Sequence, residues 1–250
     1  MSPAGLPWAV LAIALAITFG MSVLHSVVGF AFGLLSTPAF LLLFPPKQVV
    51  VLTVLLMLVL NVLIIRRSPH AVVLGELKEL AGPALLGLPV GILILVITSP
   101  PVLRLIVGIA VFGFASTMLF GGGRKLAQWA GTPAVAGFAG GVLTTSINFN
   151  GPPIALYLVG RRLGTEAFRA TTAAWLLFAH TLAVIVFAAT RFLTMDLLVT
   201  AALLSPACLA GSWVGLRLAG RIRADVFQRF VLGLLVVMGI ITITSSGYGR

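Results

Sequence analysis

The stretch Ile147-Asn148-Phe149-Asn150-Gly151-Pro152-Pro153 separates two apolar runs, Thr132–Ser146 and Ile154–Val159. One straight helix cannot run through it. Each proline lacks an N–H, fixes φ and disfavours helical geometry in the residue before it. Two amides, Asn148 and Asn150, flank Phe149 at the interruption. Whether this is a surface loop or a broken helix inside a bilayer depends on its surroundings.

Those surroundings are lipid-compatible. Of 250 residues, 60% are hydrophobic and only 8% are charged, and the mean hydropathy is +1.19. A soluble domain carries roughly a quarter charged residues, so most of this apolar surface needs lipid as its solvent. The net charge of +11 does not read as nucleic-acid binding. Its basic residues sit in short connections between apolar runs, as cytoplasmic loops require. Cys208 is the single cysteine; it lies in an apolar run, closes no intrachain disulfide and fits no metal spacing. The N-terminus, Met1-Ser2-Pro3-Ala4-Gly5, has no basic region ahead of the first run, so that run is expected to stay as a membrane segment.

Ten segments follow from the apolar runs. The first, Trp8–Val28, ends at a second break, Gly29-Phe30-Ala31-Phe32-Gly33, and leads to the short run Leu34–Phe44. Gln48–Ile65, Leu77–Ile97 and Val102–Phe120 complete one half, and residues 121–131 form a central loop. Thr132–Ser146, Ile154–Val159, Glu166–Thr190, Met195–Leu216 and Val226–Thr244 make up the other. Runs of about 18 to 22 residues span roughly 30 Å of hydrocarbon. Leu34–Phe44 and Ile154–Val159 are too short and read as return arms of helical hairpins. The fold expected is an all-α polytopic membrane protein of two repeats, 1–120 and 132–250, each of five helical segments with a broken or hairpin helix pair.

Five is odd, so the second repeat enters the membrane from the opposite face. The basic residues agree. With Arg124 and Lys125 of the central loop in the cytoplasm, Arg66, Arg67, Arg161, Arg162, Arg169 and the run from Arg217 to Arg229 also fall inside. Lys47, Arg104, Arg191 and Arg250 fall outside, with both termini. A shift of about 118 residues lays the first break over the second, and Asn61 then falls one residue from His180. Pro83, Gly87 and Gly91 resemble Pro206, Gly211 and Gly215 at a similar place in each half.

Irregular backbone at membrane depth survives only inside protein or beside a water-filled cavity. Paired broken helices of inverted-repeat transporters use such sites to hold ligands, with helix N-termini facing anions. The candidate substrate-binding residues are therefore Gly29, Gly33, Ser36 and Thr37 from the first break, and Thr145, Ser146, Asn148, Asn150 and Gly151 from the second, beside Thr144. Three polar residues inside apolar runs, His25, Asn61 and His180, join them as anion donors or proton carriers. Other readings stand beside these. Gly29-x-x-x-Gly33 and Gly137-x-x-x-Gly141 also suit close helix packing, serine and threonine can bond back to their own helix, and a lone membrane histidine can be a simple interhelical contact. All five carboxylates, Glu76, Glu79, Glu166, Asp196 and Asp225, lie in connections or at segment ends. A carboxylate relay through the bilayer centre is thus not expected. No Walker loop or HExxH pair is present, and neither catalysis, a metal nor a cofactor is expected.

The run Asn148-Phe149-Asn150-Gly151-Pro152-Pro153-Ile154-Ala155-Leu156-Tyr157-Leu158 and the segment Gly164-Thr165-Glu166-Ala167-Phe168-Arg169-Ala170-Thr171 resemble the sulfite exporter TauE/SafE family of membrane permeases. The resemblance covers nearly the whole chain. It implies export of sulfite, sulfoacetate or related organosulfur anions across the bacterial inner membrane, with 29–38 and 148–153 matching the family's two Gly-rich substrate-region motifs. The chain departs from them at Phe30, Ala31 and Phe32, where the family often has a Gly-rich run, and at Asn150, which replaces a small residue. Two other functions remain open on the residues. One is a haem-binding membrane anchor with His25 and His180 as axial ligands, which a Soret band would reveal; the other is a small-anion channel, which conductance would reveal. The sequence sets neither the anion nor the oligomeric state.

Overall fold

A computed structural model describes residues 5–28, 31–120, 131–218 and 224–246. Gly29, most of the central loop with Arg124 and Lys125, and Arg221, Arg223 and Arg250 lie outside the described residues. The first half forms α1 (Trp8–Val28), α2 (Ala31–Phe40), α3 (Pro46–Arg67), α4 (Leu74–Ile97) and α5 (Pro100–Leu119). The second forms α6 (Pro133–Ser146), α7 (Gly151–Gly160), α8 (Thr165–Ala189), α9 (Met195–Leu218) and α10 (Ala224–Ser246). Among the described residues there is no strand, and six helices are long and apolar enough to cross a membrane. The protein is a multi-pass helical membrane protein.

Several helices start a few residues before their apolar runs because a proline begins them. Pro46, Pro100, Pro133 and Pro152 occupy first-turn positions, where the missing N–H is not needed and φ is already helical. Thr132 caps α6 by accepting from Val135 N–H at 3.3 Å. The two short arms are each 10 residues long, so neither spans the hydrocarbon by itself.

Packing repeats between the halves. α4 lies along α6 as α9 lies along α1, α3 touches α9 as α8 touches α4, and α3–α8 and α5–α10 pair across the halves. The seams are alike in detail. A Cβ added at Gly87 or Gly91 would overlap the Phe138 or Val142 carbonyl of α6. A Cβ at Gly211 or Gly215 would overlap the Phe19 or Val23 carbonyl of α1. Phe19 and Phe138, Val23 and Val142, Thr53 and Thr172, and Asn61 and His180 all stand 119 positions apart. Small residues let the backbones touch, which is how helices associate where lipid supplies no hydrophobic drive.

Polarity runs opposite to that of a soluble protein. Leu86 and Ile97 are 70% and 71% exposed on α4, while Thr18, Ser22, His25, Asn61, Asn148 and His180 are fully buried. At one end of the bundle Lys47 Nζ donates to the Val96 carbonyl at 2.9 Å and lies over the Phe192 ring. The opposite end gathers Arg67, Ser68, Glu76, Arg161, Glu166 and Arg169. The charge reading assigned these two sets to opposite faces.

Candidate functional site: the junction of the two helix breaks

The second break is built by a helix ending. Phe149 N–H bonds the Leu143 carbonyl at 3.1 Å and Ile147 N–H bonds the same oxygen at 3.3 Å, while Asn148 takes φ +51°. The helix thus stops on a residue in the left-handed region, which asparagine tolerates better than other side chains. The turn leaves the Asn148 and Asn150 amides pointing among α3, α6 and α8. Asn148 Nδ2 donates to Thr53 Oγ1 at 3.0 Å, and Asn148 Oδ1 lies 3.0 Å from His180 Nε2. Asn150 Nδ2 donates to Thr144 Oγ1 at 2.9 Å and lies 3.0 Å from the same His180 nitrogen.

The first break comes to meet it. A Cβ on Gly33, in the first turn of α2, would stand 2.6 Å from the Asn148 carbonyl and 3.4 Å from its amide nitrogen. Only glycine fits there. Phe32 N–H donates to His25 Nδ1 at 3.2 Å, so the neutral ring carries its proton on Nε2. Asn61 Oδ1 is a neighbour of that Nε2; the two interact electrostatically without meeting in a well-formed hydrogen bond.

Gly33, Asn148, Asn150 and His180 therefore come together with His25 and Asn61 nearby, whereas Thr145 lies in the seam between α4 and α6. The hydroxyl protons of Ser36, Ser146 and Thr145 go to the carbonyls of Phe32, Val142 and Leu88 at 2.6, 2.7 and 2.7 Å. Asn61 Nδ2 likewise bonds back to the Met57 carbonyl at 2.8 Å. Backbone amides are fewer than expected of a helix N-terminus. Pro152 and Pro153 have none to offer from the first turn of α7, and Phe32 N–H is taken. Gly29 lies outside the described residues.

What remains unpaired is specific. His25 Nε2, His180 Nδ1, Thr37 Oγ1, Asn61 Oδ1, Thr172 Oγ1 and Trp175 Nε1 are buried with no hydrogen-bond partner among the described residues. A buried polar atom without a partner costs about 1–3 kcal/mol, and two of these, His25 Nε2 and Asn61 Oδ1, lie beside each other. Thr53, Thr172 and Trp175 were not singled out from sequence. The 119-residue spacing of Thr53 and Thr172, shared with Asn61 and His180, was the available signal. Trp175 offered none; its ring lies over Gly140, where a Cβ would come within 2.6 Å.

The family model for the sulfite exporter TauE/SafE matches residues 13–242, nearly the entire chain and both breaks. The chain belongs to the sulfite exporter TauE/SafE family. TauE/SafE proteins are membrane permeases and not enzymes. No curated protein and no solved structure matches the chain.

In this TauE/SafE chain the second hairpin is latched at its far end. Tyr157 Oη donates to Glu76 Oε2 at 2.6 Å and to Glu79 Oε2 at 3.1 Å, and Arg161 Nε meets Glu76 Oε1 at 2.6 Å. This ties the end of α7 to the start of α4. That bond to Glu76 raises the pKa of the Arg161 guanidinium, which stays charged throughout. Glu76 is 8% exposed, whereas the Glu79 side chain is half-exposed and stands 3.9 Å from Arg161. Glu76→Ala is expected to cost about 1–3 kcal/mol because it removes the shorter bond of the buried Tyr157 hydroxyl and the Arg161 bond together, leaving only the longer contacts to Glu79. Glu79→Ala should cost less than about 1 kcal/mol, as exposed ion pairs do. Thermal unfolding of the two purified variants checks the ranking.

Proposed function

We propose that the chain exports small sulfur oxyanions, sulfite or sulfonates such as sulfoacetate, across the bacterial inner membrane by alternating access at the junction of the two breaks. Residues 1–120 and 132–250 act as inverted repeats, joined by a cytoplasmic loop at 121–131. The half-exchanged packing and the four residue pairs 119 positions apart support that symmetry. An odd number of segments per repeat then makes it an inverted one, and the basic residues fix the sides.

One observation carries the proposal: at the junction the buried amides of Asn148 and Asn150 converge on a single His180 nitrogen. His180 Nε2 faces both the Asn148 oxygen and the Asn150 nitrogen at 3.0 Å. With the amides oriented so, a single nitrogen can donate to one or accept from the other, not both. An oxyanion resolves this by accepting the N–H left over. Neutral donors suit a ligand that must bind and then leave. Asn148 and Asn150 are 0% and 2% exposed, so the junction is closed as a carrier's site would be.

A negative interior favours outward movement of an anion by about 2.3 kcal/mol per charge per 100 mV, so export needs no coupling ion. Proteoliposomes loaded with radiolabelled sulfite test the proposal. Release through the protein should saturate with sulfite, be inhibited by sulfoacetate and accelerate when the interior is made negative. Release no faster than from protein-free liposomes overturns it.

A further inference from the structure

At the end of the bundle that holds Arg67 and Arg169, the helix ends enclose an open cavity of about 330 Å³. Its wall includes Ile64, Arg67, Ser68, Thr165, Glu166 and Arg169. Two guanidinium groups thus share the space with one carboxylate. That carboxylate is already engaged, since Ser68 Oγ donates to Glu166 Oε1 at 2.5 Å. Among the described residues the ion pairs are those of Arg161, and none includes Arg67 or Arg169.

Arg169 is held from behind. Its Nη2 donates to the Ser26 carbonyl in the last turn of α1, where a helix has unpaired carbonyls and welcomes positive charge. Its Nε is buried and has no partner among the described residues. Arg67 is exposed, and its charge repels that of Arg169 across the cavity. An arginine at a membrane surface is usually just solvated. Two that are close, lack a carboxylate partner and include one fixed by a backbone bond form a receptor for negative charge. Guanidinium forks match oxyanions in bidentate fashion.

The position gives this charge a purpose. Ser26, which anchors Arg169, follows His25 of the junction directly. We propose that the cavity is a loading site for a doubly charged free oxyanion of the sulfite or sulfonate class, bound between Arg67 and Arg169 before it reaches the junction. The role in loading rests on the export reading above. Occupancy of the cavity does not, and the two are separable.

Thr165 is exposed on the cavity wall, so a Thr165→Cys reporter in a Cys208→Ala background can be labelled by a maleimide. In nanodiscs of zwitterionic lipid, sulfate or sulfoacetate, neither of which reacts with the maleimide as sulfite would, is expected to slow labelling about fivefold or more relative to chloride at equal ionic strength. Adding Arg67→Gln or Arg169→Gln should abolish that protection. Equal labelling with and without sulfate or sulfoacetate overturns the proposal. So does protection that appears only in nanodiscs containing anionic lipid, which would assign the cavity to a headgroup phosphate. In vesicles, Arg67→Gln is expected to raise KM about tenfold from the cytoplasmic face with kcat nearly unchanged. KM raised equally from both faces would mark a structural role and overturn loading. If protection holds while wild-type protein moves no sulfite, the export reading fails and the anion site stands.

Discussion

Asn148→Gly combined with Asn150→Ala is expected to lower sulfite flux through the reconstituted protein by about 100-fold or more. Each amide contributes a hydrogen bond to a charged ligand worth about 1.5–3 kcal/mol, and two together amount to two to four powers of ten. Glycine is the right replacement at residue 148 because its φ of +51° would strain alanine and confuse a folding defect with a binding defect. The thermal midpoint of the double variant should fall by only a few degrees, the cost of His180 Nε2 losing its two amide partners. Both Thr53 and Thr144 keep bonds to carbonyls in their own helices, at 2.8 and 2.6 Å, so neither is stranded. Flux equal to wild type would remove the two amides from the mechanism.

Gly91→Leu is expected to prevent assembly of the bundle. The new Cβ would overlap the Val142 carbonyl and Thr145 Oγ1 of α6, and Thr145 itself is pinned to the Leu88 carbonyl at 2.7 Å. Nothing there can yield. The neighbouring contacts are backbone too, since Gly137 abuts the Leu80 carbonyl and Gly141 the Ala84 carbonyl. Overpacking usually costs about 1–3 kcal/mol where side chains can move, so the cost at this rigid seam is about 3 kcal/mol or more. Gly82→Leu on the same helix is the control, because nothing lies within 4 Å of its Cβ position. Fluorescence-detected size exclusion after heating should show early loss of the Gly91 variant and a near-normal Gly82 variant. Equal behaviour of the two would mean that the α4–α6 seam does not hold the fold together.

The segments were legible because apolar runs in lipid have few ways to fold: α1 and the C-terminal end of α4 match their runs, and both short arms are helices of 10 residues. The breaks were legible because glycine, asparagine and proline punctuate backbone in a known way. Less visible was what each polar group does at the breaks. Ser36 and Ser146 bond back to their own helices, which a sequence pattern cannot distinguish from a hydroxyl facing a ligand. Thr53 entered the site only when helices distant in sequence came together. Pro152 and Pro153 marked the start of α7 correctly, yet the same prolines remove two amides that an anion would have used. The site therefore relies on side-chain donors more than on helix ends.

The central claim is that one anion sits where the two breaks meet. Selenite has the shape and charge of sulfite and scatters anomalously, so diffraction from selenite-soaked crystals of the protein locates it directly. An anomalous peak within hydrogen-bond reach of Asn148, Asn150 and His180, bordered by Gly33, is the expected result. A peak confined to the bundle surface, or none at the junction under saturating selenite, would contradict it.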